Sequence, residues 1–226
     1  MSIKRTGIGA GFAALAATWT GAAFAVPYNY QLGFQAAASP VMERIEEFHN
    51  LLLIITFAIC LLVLALLVFI VLRYNHRASP TPSRTEHNTI LEIAWTVIPV
   101  IILVVIAIPS FKLLYYEADI PKADVELKVI GKQWFWTYQY PRRGNFQFDS
   151  LALSDDAAKK ANEPRLLGVD NPIVVPVNRV IEVVTTGADV IHSWALPEMG
   201  VKMDAIPGHL NYTWFKATRT GTFYGQ

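Results

Sequence analysis

Two long apolar runs constrain the fold of this chain more than any other feature. The first, Leu51 to Leu72, contains no charged residue, and the second extends from Ile90 to about Leu114. Each run is long enough to cross the hydrocarbon layer of a bilayer, which is about 30 Å thick. The sequence therefore predicts a transmembrane helical hairpin over residues 49–116, with spans at about 51–72 and 90–114 surrounded by membrane lipid. Pro99 and Pro109 favour a kinked second helix that packs against other protein.

A signal peptide is predicted at the start of the chain. Lys4 and Arg5 precede a short apolar stretch, and Ala23-Phe24-Ala25 has the A-x-A spacing of a cleavage site. The stretch is short and interrupted by glycine, which argues against a permanent membrane anchor. We expect residues 1–25 to be removed and residues 26–48 to form an N-terminal periplasmic segment.

The charges around the two runs predict the orientation in the membrane. The connecting segment carries Arg73, Arg77 and Arg84 against Glu86, and short loops rich in Arg and Lys stay in the cytoplasm. Residues 117–226 would then lie on the outer side of the membrane, in agreement with a secretory signal. The net charge of +1 and the absence of a Lys- and Arg-rich block argue against nucleic acid as a partner.

The last part of the chain has the alternating pattern of β-strands. Val125, Leu127 and Val129 share one face, and the large residues change parity after Gly131, which predicts a bulge at Gly131-Lys132. Further strands are predicted in "IVVPVNRVIEVVTT" and "NYTWFKATRTGTFYG", between turn residues. This pattern predicts an all-β antiparallel sandwich or barrel over residues 117–226.

Cysteine usage limits the chemistry that these residues can perform. Cys60 is the only cysteine, and it lies inside the first apolar run. A disulfide framework, or a metal site built from thiolates of this chain, is therefore excluded. His192 lies in "DVIHSWALPEMG", directly after a β-rich run. Taken alone, it is most simply interpreted as a buried, hydrogen-bonded histidine at the end of a strand.

Several blocks of the sequence resemble one family. They are "QLGFQAAASPVMERIEEFHN", "LEIAWTVIPVIILVVIAIPS", "GKQWFWTYQY", "ADVIHSWALPEMGVKMDAIPGHLN" and "GTFYGQ", from about Gln31 to Gln226. Together they are similar to subunit II of the bacterial haem–copper cytochrome c oxidases, aa3 type. The resemblance implies a two-helix membrane hairpin that carries a cupredoxin-like sandwich. It also implies a non-catalytic subunit of a proton-pumping oxidoreductase, which passes electrons from cytochrome c to haem in a separate catalytic subunit that reduces oxygen.

The resemblance also implies a copper site. In that family the exposed domain holds a binuclear copper centre (CuA), and His192 matches its first ligand. The remaining ligands, two cysteines, a histidine, a methionine and a carbonyl, come from a loop that follows a "YGQ" strand end. Such donors suit copper. The sequence stops at Gln226, so we expect it to be truncated before that loop and, as given, to hold no stable binuclear copper; a natural product that ends there is the alternative.

Other histidines and methionines are given no role in the metal site. His49 and His76 flank the first run, His87 precedes the second, and His209 lies in a turn. The resemblance assigns no copper to Met199 or Met203, so we expect both to contribute to packing.

Trp134 is the residue at which the resemblance places the arrival of electrons from cytochrome c. The neighbouring aromatic residues also fit an ordinary strand that fills a core. Cytochrome c is a basic partner, so its docking surface should be acidic. Residues 119–226 contain 12 acids and 12 bases, so docking must use a local patch. The resemblance points to Asp170, Asp189 and Gln139, although ordinary solvated surface residues are an alternative.

Two further acids match family positions, and two rival functions stay open. Glu92 matches a glutamate at the cytoplasmic entrance of a proton path (the K-path), but "TILE" also predicts a capping box that begins at Thr89. Asp204 matches an acid beneath the copper with a structural role. The rivals are a copper-free quinol oxidase subunit II and a membrane-anchored β domain with a structural role.

Overall fold

The structure is a computed structural model that describes residues 31–81 and 84–225. The predicted signal peptide, residues 1–25, lies outside the described residues. Two long helices are followed by three strands, a short helix and four more strands. Their bounds are α1 Pro40–Arg73, α2 Thr89–Ala118, β1 Val125–Lys132, β2 Phe135–Tyr140, β3 Phe146–Ser150, α3 Asp155–Ala161, β4 Ile181–Gly187, β5 His192–Leu196, β6 Val201–Ala205 and β7 Asn211–Phe215, with a 3₁₀ turn at Pro197–Met199.

Helix α1 begins well before the predicted span. Ser39 caps it, since the Ser39 hydroxyl accepts a hydrogen bond from the Met42 N–H at 3.0 Å, and Pro40 occupies the first turn. At 1.5 Å per residue, the 34 residues of α1 are about 50 Å long. This length exceeds the hydrocarbon layer, so the helix extends beyond it.

Helix α2 is capped by Asn88, so the capping box predicted at Thr89 is wrong by one residue. Asn88 Oδ1 accepts from the Leu91 N–H at 3.1 Å, and Glu92 Oε1 accepts from the Asn88 N–H at 3.4 Å. Asn is at least as good a cap as Thr, which explains the shift. The helix continues through Pro99 and Pro109.

Over their predicted spans, the two long helices are apolar on all sides. Residues buried within the structure occur only at the start of α1, at Val41 and Met42, and α2 has none. A helix that is apolar all round needs either a protein core or lipid around it. Within the described part of the chain, α1 and α2 are the helices that are long and apolar enough to cross a membrane.

The strands form two sheets. The larger has the order β3-β2-β1-β4-β7, and the smaller pairs β5 with β6. All pairs are antiparallel except β1 with β4, which run parallel from Val125–Ile181 to Gly131–Gly187. The prediction of an antiparallel sandwich is therefore wrong at this central pair. A long crossover separates β1 from β4, and such a connection permits parallel pairing.

The hydrophobic core lies between the two sheets. The larger sheet contributes alternate residues of its central strands, and the smaller sheet contributes Trp194 and Leu196. The Trp194 indole N–H donates to the Tyr138 hydroxyl at 3.2 Å, so the largest core side chain has its polar atom satisfied. Met199 also belongs to this core. The core fixes the position of β5 against β1 and β4.

Strands β1 and β2 are joined by a tight hairpin. Their pairs run without an extra residue from Lys128–Gln139 to Lys132–Phe135, so the predicted bulge at Gly131-Lys132 is wrong. The parity of the large residues changes because the chain reverses at Gln133 and Trp134. The hairpin places Trp134 at its tip.

The sandwich meets α1 at a closely packed junction, defined here as residues 38–45 and 197–200. The Ser39 hydroxyl donates to the Met199 carbonyl at 2.7 Å, and the Ala38 N–H donates to the Glu198 carbonyl at 2.8 Å. Gly200 has a φ of +71°, and a Cβ there would meet Ile45 Cδ1 at 2.8 Å. The junction therefore requires a residue without a side chain at this position.

Two further contacts support this end of the sandwich. The Trp214 indole N–H donates to the Glu117 carbonyl at 3.2 Å, and its ring lies edge to face with Tyr116 at 5.5 Å. Glu198 is fully buried, with the Gln35 amide within hydrogen-bond distance of its carboxyl group. Burial raises the pKa of Glu198, and the charge of Arg219 opposes that rise.

Candidate metal site

His192 is the first residue of β5, at the other end of that strand from the junction. It pairs with Ala205 of β6, and its side chain is 17% exposed. The Trp136 ring lies edge to face with the imidazole at 5.8 Å. We name this region the site end, defined by residues 131–136, 187–192 and 205. It presents a partly buried imidazole near the surface.

A single carboxylate holds the imidazole in place. His192 Nε2 lies 2.7 Å from Asp189 Oδ1, which also accepts from the Val190 N–H at 2.7 Å. The hydrogen bond from His192, followed by the one from Val190, lowers the pKa of Asp189 to about 2. The carboxylate is therefore ionised at neutral pH and can only accept a hydrogen bond. A neutral His192 imidazole must then carry its proton on Nε2, the nitrogen that faces Asp189.

The other ring nitrogen is available for a ligand. Among residues 31–81 and 84–225, His192 Nδ1 has no hydrogen-bond partner. Histidine ligands of metals commonly donate their second ring N–H to a carboxylate, which fixes the ring and raises its basicity. The His192–Asp189 pair has this arrangement, so the ring fits a metal ligand that binds through Nδ1.

Gly131 forms a cradle for the imidazole. A Cβ at Gly131 would lie 2.6 Å from His192 Cδ2 and 2.8 Å from Cγ. Real structures avoid such distances, so the bare backbone of β1 is what allows the ring to approach. The Gly131 carbonyl accepts from the Ala188 N–H at 2.9 Å, which holds the backbone itself in place.

Trp134 is 87% exposed at the tip of the β1–β2 hairpin. Its neighbour Gln133 donates its backbone N–H to Asp189 Oδ2 at 2.7 Å. The carboxylate that orients His192 therefore also holds the hairpin that carries the indole. The structure brings together three residues predicted for the site, which are Trp134, Asp189 and His192.

The other two predicted docking residues have different positions. Asp170 Oδ1 accepts a hydrogen bond from the Leu151 N–H at 2.8 Å. Leu151 directly follows Ser150, which pairs with Trp136 in the sheet. Asp170 therefore lies at the same end of the sheet as the hairpin tip. Gln139 lies three residues beyond Trp136 along β2, which is about 10 Å. Its side chain donates to Asn145 Oδ1 at 3.2 Å. Gln139 is thus set back from the site end.

Glu92 and Asp204 lie in separate places. Glu92 is in the first turn of α2, with its carboxylate 3.9 Å from His87 Nδ1. Asp204 lies on β6 and pairs with Ser193 of β5. It is next to Ala205, the residue that pairs with His192. Its backbone carbonyl accepts from the Thr185 hydroxyl at 2.7 Å, which ties β6 to β4. Asp204 is therefore near the candidate ligand, whereas Glu92 is not.

The site end supplies one metal ligand and not a complete set. In the part of the chain that the structure describes, no three His, Cys, Asp or Glu side chains are grouped to hold a metal ion. Cys60 is exposed on α1. His49 lies against the Phe34 ring, with 4.7 Å between centroids. Within these residues, only the His192 ring has the geometry of a prepared ligand.

Sequence reasoning misses two features of the site. It assigns Gly131 to a bulge, and it treats Asp189 as a docking acid alone. The available signals are a glycine inside a strand, which often marks a close approach, and the spacing of three residues between Asp189 and His192. Neither signal identifies the contact without the tertiary structure.

Comparison with known families gives two matches that together cover most of the chain. Residues 27–113 match the family described as "Cytochrome C oxidase subunit II, transmembrane domain". Residues 125–226 match the family described as "Cytochrome C oxidase subunit II, periplasmic domain". The first match ends near the C-terminal end of α2, and the second begins at the first residue of β1.

Two relatives from Rickettsia support the same family. The chain is 48% identical over 200 residues to a probable cytochrome c oxidase subunit 2 of Rickettsia bellii, across 88% of this chain and 74% of that protein. The Rickettsia conorii counterpart is 49% identical over 200 residues, but the chain spans only 63% of its length. A crystal structure of the periplasmic domain of subunit II of cytochrome oxidase from Bradyrhizobium japonicum is 61% identical, with a TM-score of 0.44, over 48% of this chain and 74% of that one.

Proposed function

Because this chain belongs to the cytochrome c oxidase subunit II family, we propose that it is the subunit through which electrons from cytochrome c reach the oxidase. Its β domain would carry the CuA site and deliver electrons to haem in the catalytic subunit, where oxygen is reduced to water and protons are pumped. The geometry of His192 is the observation that supports this proposal most directly.

His192 would bind copper through Nδ1. Asp189 keeps the proton on Nε2, and Gly131 leaves room for the ring to lie against β1. A bound copper pair would supply a one-electron carrier at this point. Cys60 is the only cysteine and lies on α1, so the thiolate ligands would have to come from outside these 226 residues.

Trp134 would receive the electron from cytochrome c. Its indole is exposed, and the chain connects it to the candidate ligand through Gln133 and the carboxylate of Asp189, with two hydrogen bonds of 2.7 Å. Asp170 lies at the same end of the sheet and would contribute to an acidic docking patch. Gln139 is uncharged and set back, so its contribution would be smaller.

The decisive experiment replaces the candidate ligand in the oxidase made from its natural gene. We expect His192→Asn to reduce the copper content of the β domain by at least about tenfold and to abolish the mixed-valence binuclear signal in electron paramagnetic resonance. His209→Asn is the matched control, since His209 lies in an exposed turn and should leave both quantities unchanged. A normal binuclear signal in His192→Asn would overturn the proposal.

The position of the protein in the cell is part of the same proposal. A cleaved signal peptide, a cytoplasmic loop between the two helices and a periplasmic β domain would place the site where cytochrome c reaches it. N-terminal sequencing of the purified protein should begin after Ala25. A chain that retains residues 1–25 would contradict the cleavage.

Glu92 would serve at the entrance of a proton path. Its carboxylate caps α2 by accepting from the Asn88 N–H, so structural and proton-transfer roles must be separated. Glu92→Gln keeps an acceptor oxygen for that N–H but cannot release a proton. We expect Glu92→Gln to slow proton uptake in the assembled oxidase while α2 stays intact. Normal turnover in this variant would leave only the capping role.

A further inference from the structure

A cleft lies between α1 and α2 close to the junction. Its volume is about 610 Å³, and its walls come from the first turns of α1 and from residues 109–113 of α2. Phe48 and Leu51 line it from α1, and Pro109 and Leu113 line it from α2. The cleft therefore has apolar walls formed by both helices.

The sequence places this cleft at the boundary between hydrocarbon and the polar layer of the membrane. Leu51 is the first residue of the uncharged run of α1, and Lys112 is the first charged residue after Glu92 in α2. Residues before Leu51 on α1 include several acids and bases. The apolar walls thus face the acyl region, and the charged walls face the headgroups.

Four charged side chains of both signs line the cleft. They are Glu43, Arg44 and Glu47 on α1 and Lys112 on α2. Within the described ranges, none of the four forms an ion pair within 4.0 Å. The Arg44 guanidinium lies 3.6 Å above the Tyr116 ring, which holds it against α2 without neutralising its charge. Two cations and two anions therefore face one cleft without being paired to each other.

From these charges we propose that the cleft binds one phospholipid with a zwitterionic headgroup that contains a primary amine, a phosphatidylethanolamine. Arg44 and Lys112 would pair with the phosphate, Glu43 and Glu47 with the ammonium group, and the acyl chains would lie against Leu51 and Leu113. An anionic headgroup would offer no cation to the two glutamates and would add a charge of the same sign beside them, which is unfavourable. A primary ammonium group can donate hydrogen bonds to both carboxylates, which a quaternary ammonium group cannot do.

This inference is independent of electron transfer, because it uses the membrane hairpin and none of the residues at the site end. The lipid would sit beside the junction and fill the space where the two helices separate. It would therefore contact both α1 and α2 at the membrane surface. A catalytic-subunit helix is the competing occupant, and the experiment distinguishes the two.

The test counts lipids bound to the purified, assembled oxidase by mass spectrometry. One double variant, Arg44→Gln with Lys112→Gln, removes the cations, and a second, Glu43→Gln with Glu47→Gln, removes the anions. Lys122→Gln with Arg179→Gln is the control, since both residues lie outside the cleft. After delipidation, phosphatidylethanolamine or phosphatidylglycerol vesicles are added back.

We expect each cleft variant to bind phosphatidylethanolamine about tenfold more weakly, since two charge-assisted contacts are lost, and the control to match the unmodified oxidase. Three outcomes would overturn the proposal. The first is unchanged lipid content in both cleft variants. The second is equal or tighter binding of phosphatidylglycerol by the unmodified oxidase. The third combines two results: the cleft variants lose the catalytic subunit, and the unmodified oxidase binds no phosphatidylethanolamine. Together these results would assign the cleft to a protein partner.

Discussion

The junction and the site end lie at opposite ends of strand β5 and are built differently. At the junction, hydrogen bonds from Ala38 and Ser39 and a fully buried Glu198 join the sandwich to α1. At the site end, one carboxylate holds His192, and Trp134 is exposed. The fold therefore fixes the β domain where it meets the membrane hairpin. It leaves a ring nitrogen and an indole accessible where the proposed chemistry occurs.

Each end depends on one glycine that allows a close approach. Gly200 lets the start of α1 contact the 3₁₀ turn, and Gly131 lets the imidazole contact β1. If the two ends have these separate roles, a substitution at Gly200 should mainly lower stability. A substitution at Gly131 should mainly disturb the metal ligand His192. The expected loss in the free energy of unfolding decreases from Gly200 to Gly131 and is smallest at Trp134.

Gly200→Ala should have the largest effect. The new Cβ would lie 3.1 Å from the Met42 backbone and 2.8 Å from the movable end of Ile45, at a φ of +71°. We therefore expect the free energy of unfolding of the β domain to fall by about 2–4 kcal/mol. Chemical denaturation followed by tryptophan fluorescence measures it. Gly208→Ala is the matched control, because its φ is +75° but nothing lies within 4 Å of the position that the new methyl group would occupy. Equal losses in both variants would mean that backbone strain alone matters.

Gly131→Ala should have a smaller effect on stability and a larger one on copper. The methyl group would displace the His192 ring, at a cost of about 1–2 kcal/mol in the free energy of unfolding. We expect copper affinity in the oxidase from the natural gene to fall by about tenfold. Gly33→Ala, with open space around it, should change neither quantity. An unaltered copper signal in Gly131→Ala would show that the cradle has no role in ligand position.

Trp134→Ala should have the smallest effect on stability. The indole is 87% exposed, so the free energy of unfolding should change by less than about 0.5 kcal/mol. Stopped-flow measurement should nevertheless show slower electron transfer from cytochrome c, with copper content retained. Trp214→Phe provides the contrast, because it removes the hydrogen bond between β7 and the end of α2. It should lower stability by about 1 kcal/mol without slowing transfer. A transfer rate in Trp134→Ala equal to that of the unmodified oxidase would remove the proposed role of the indole.

The sequence predicts the membrane helices well because their signal is local. An uncharged run such as Leu51 to Leu72 needs no partner to be recognised, and the family matches agree with a two-helix hairpin followed by a β-sandwich. The start of α1 at Pro40 does not follow from the sequence, since its first turns are polar and their helical state depends on packing at the junction.

The errors in the β domain have a common physical cause. The parallel pairing of β1 with β4 joins residues such as Val125 and Ile181 that are distant in sequence, and strand patterns do not reveal the direction of a partner. The parity change after Gly131 fits a bulge and a hairpin equally well until the partner strand is known. The contact of His192 with Gly131 likewise depends on how β5 is placed over β1.

Asp189 accepts hydrogen bonds from both the hairpin tip and the imidazole. A partner that binds Trp134 and shifts the β1–β2 turn would also move the His192 ring. Both the turn and the ring are hydrogen-bonded to the carboxylate of Asp189. In the proposed function, one side chain would thus couple the docking of a partner protein to the alignment of the donor nitrogen.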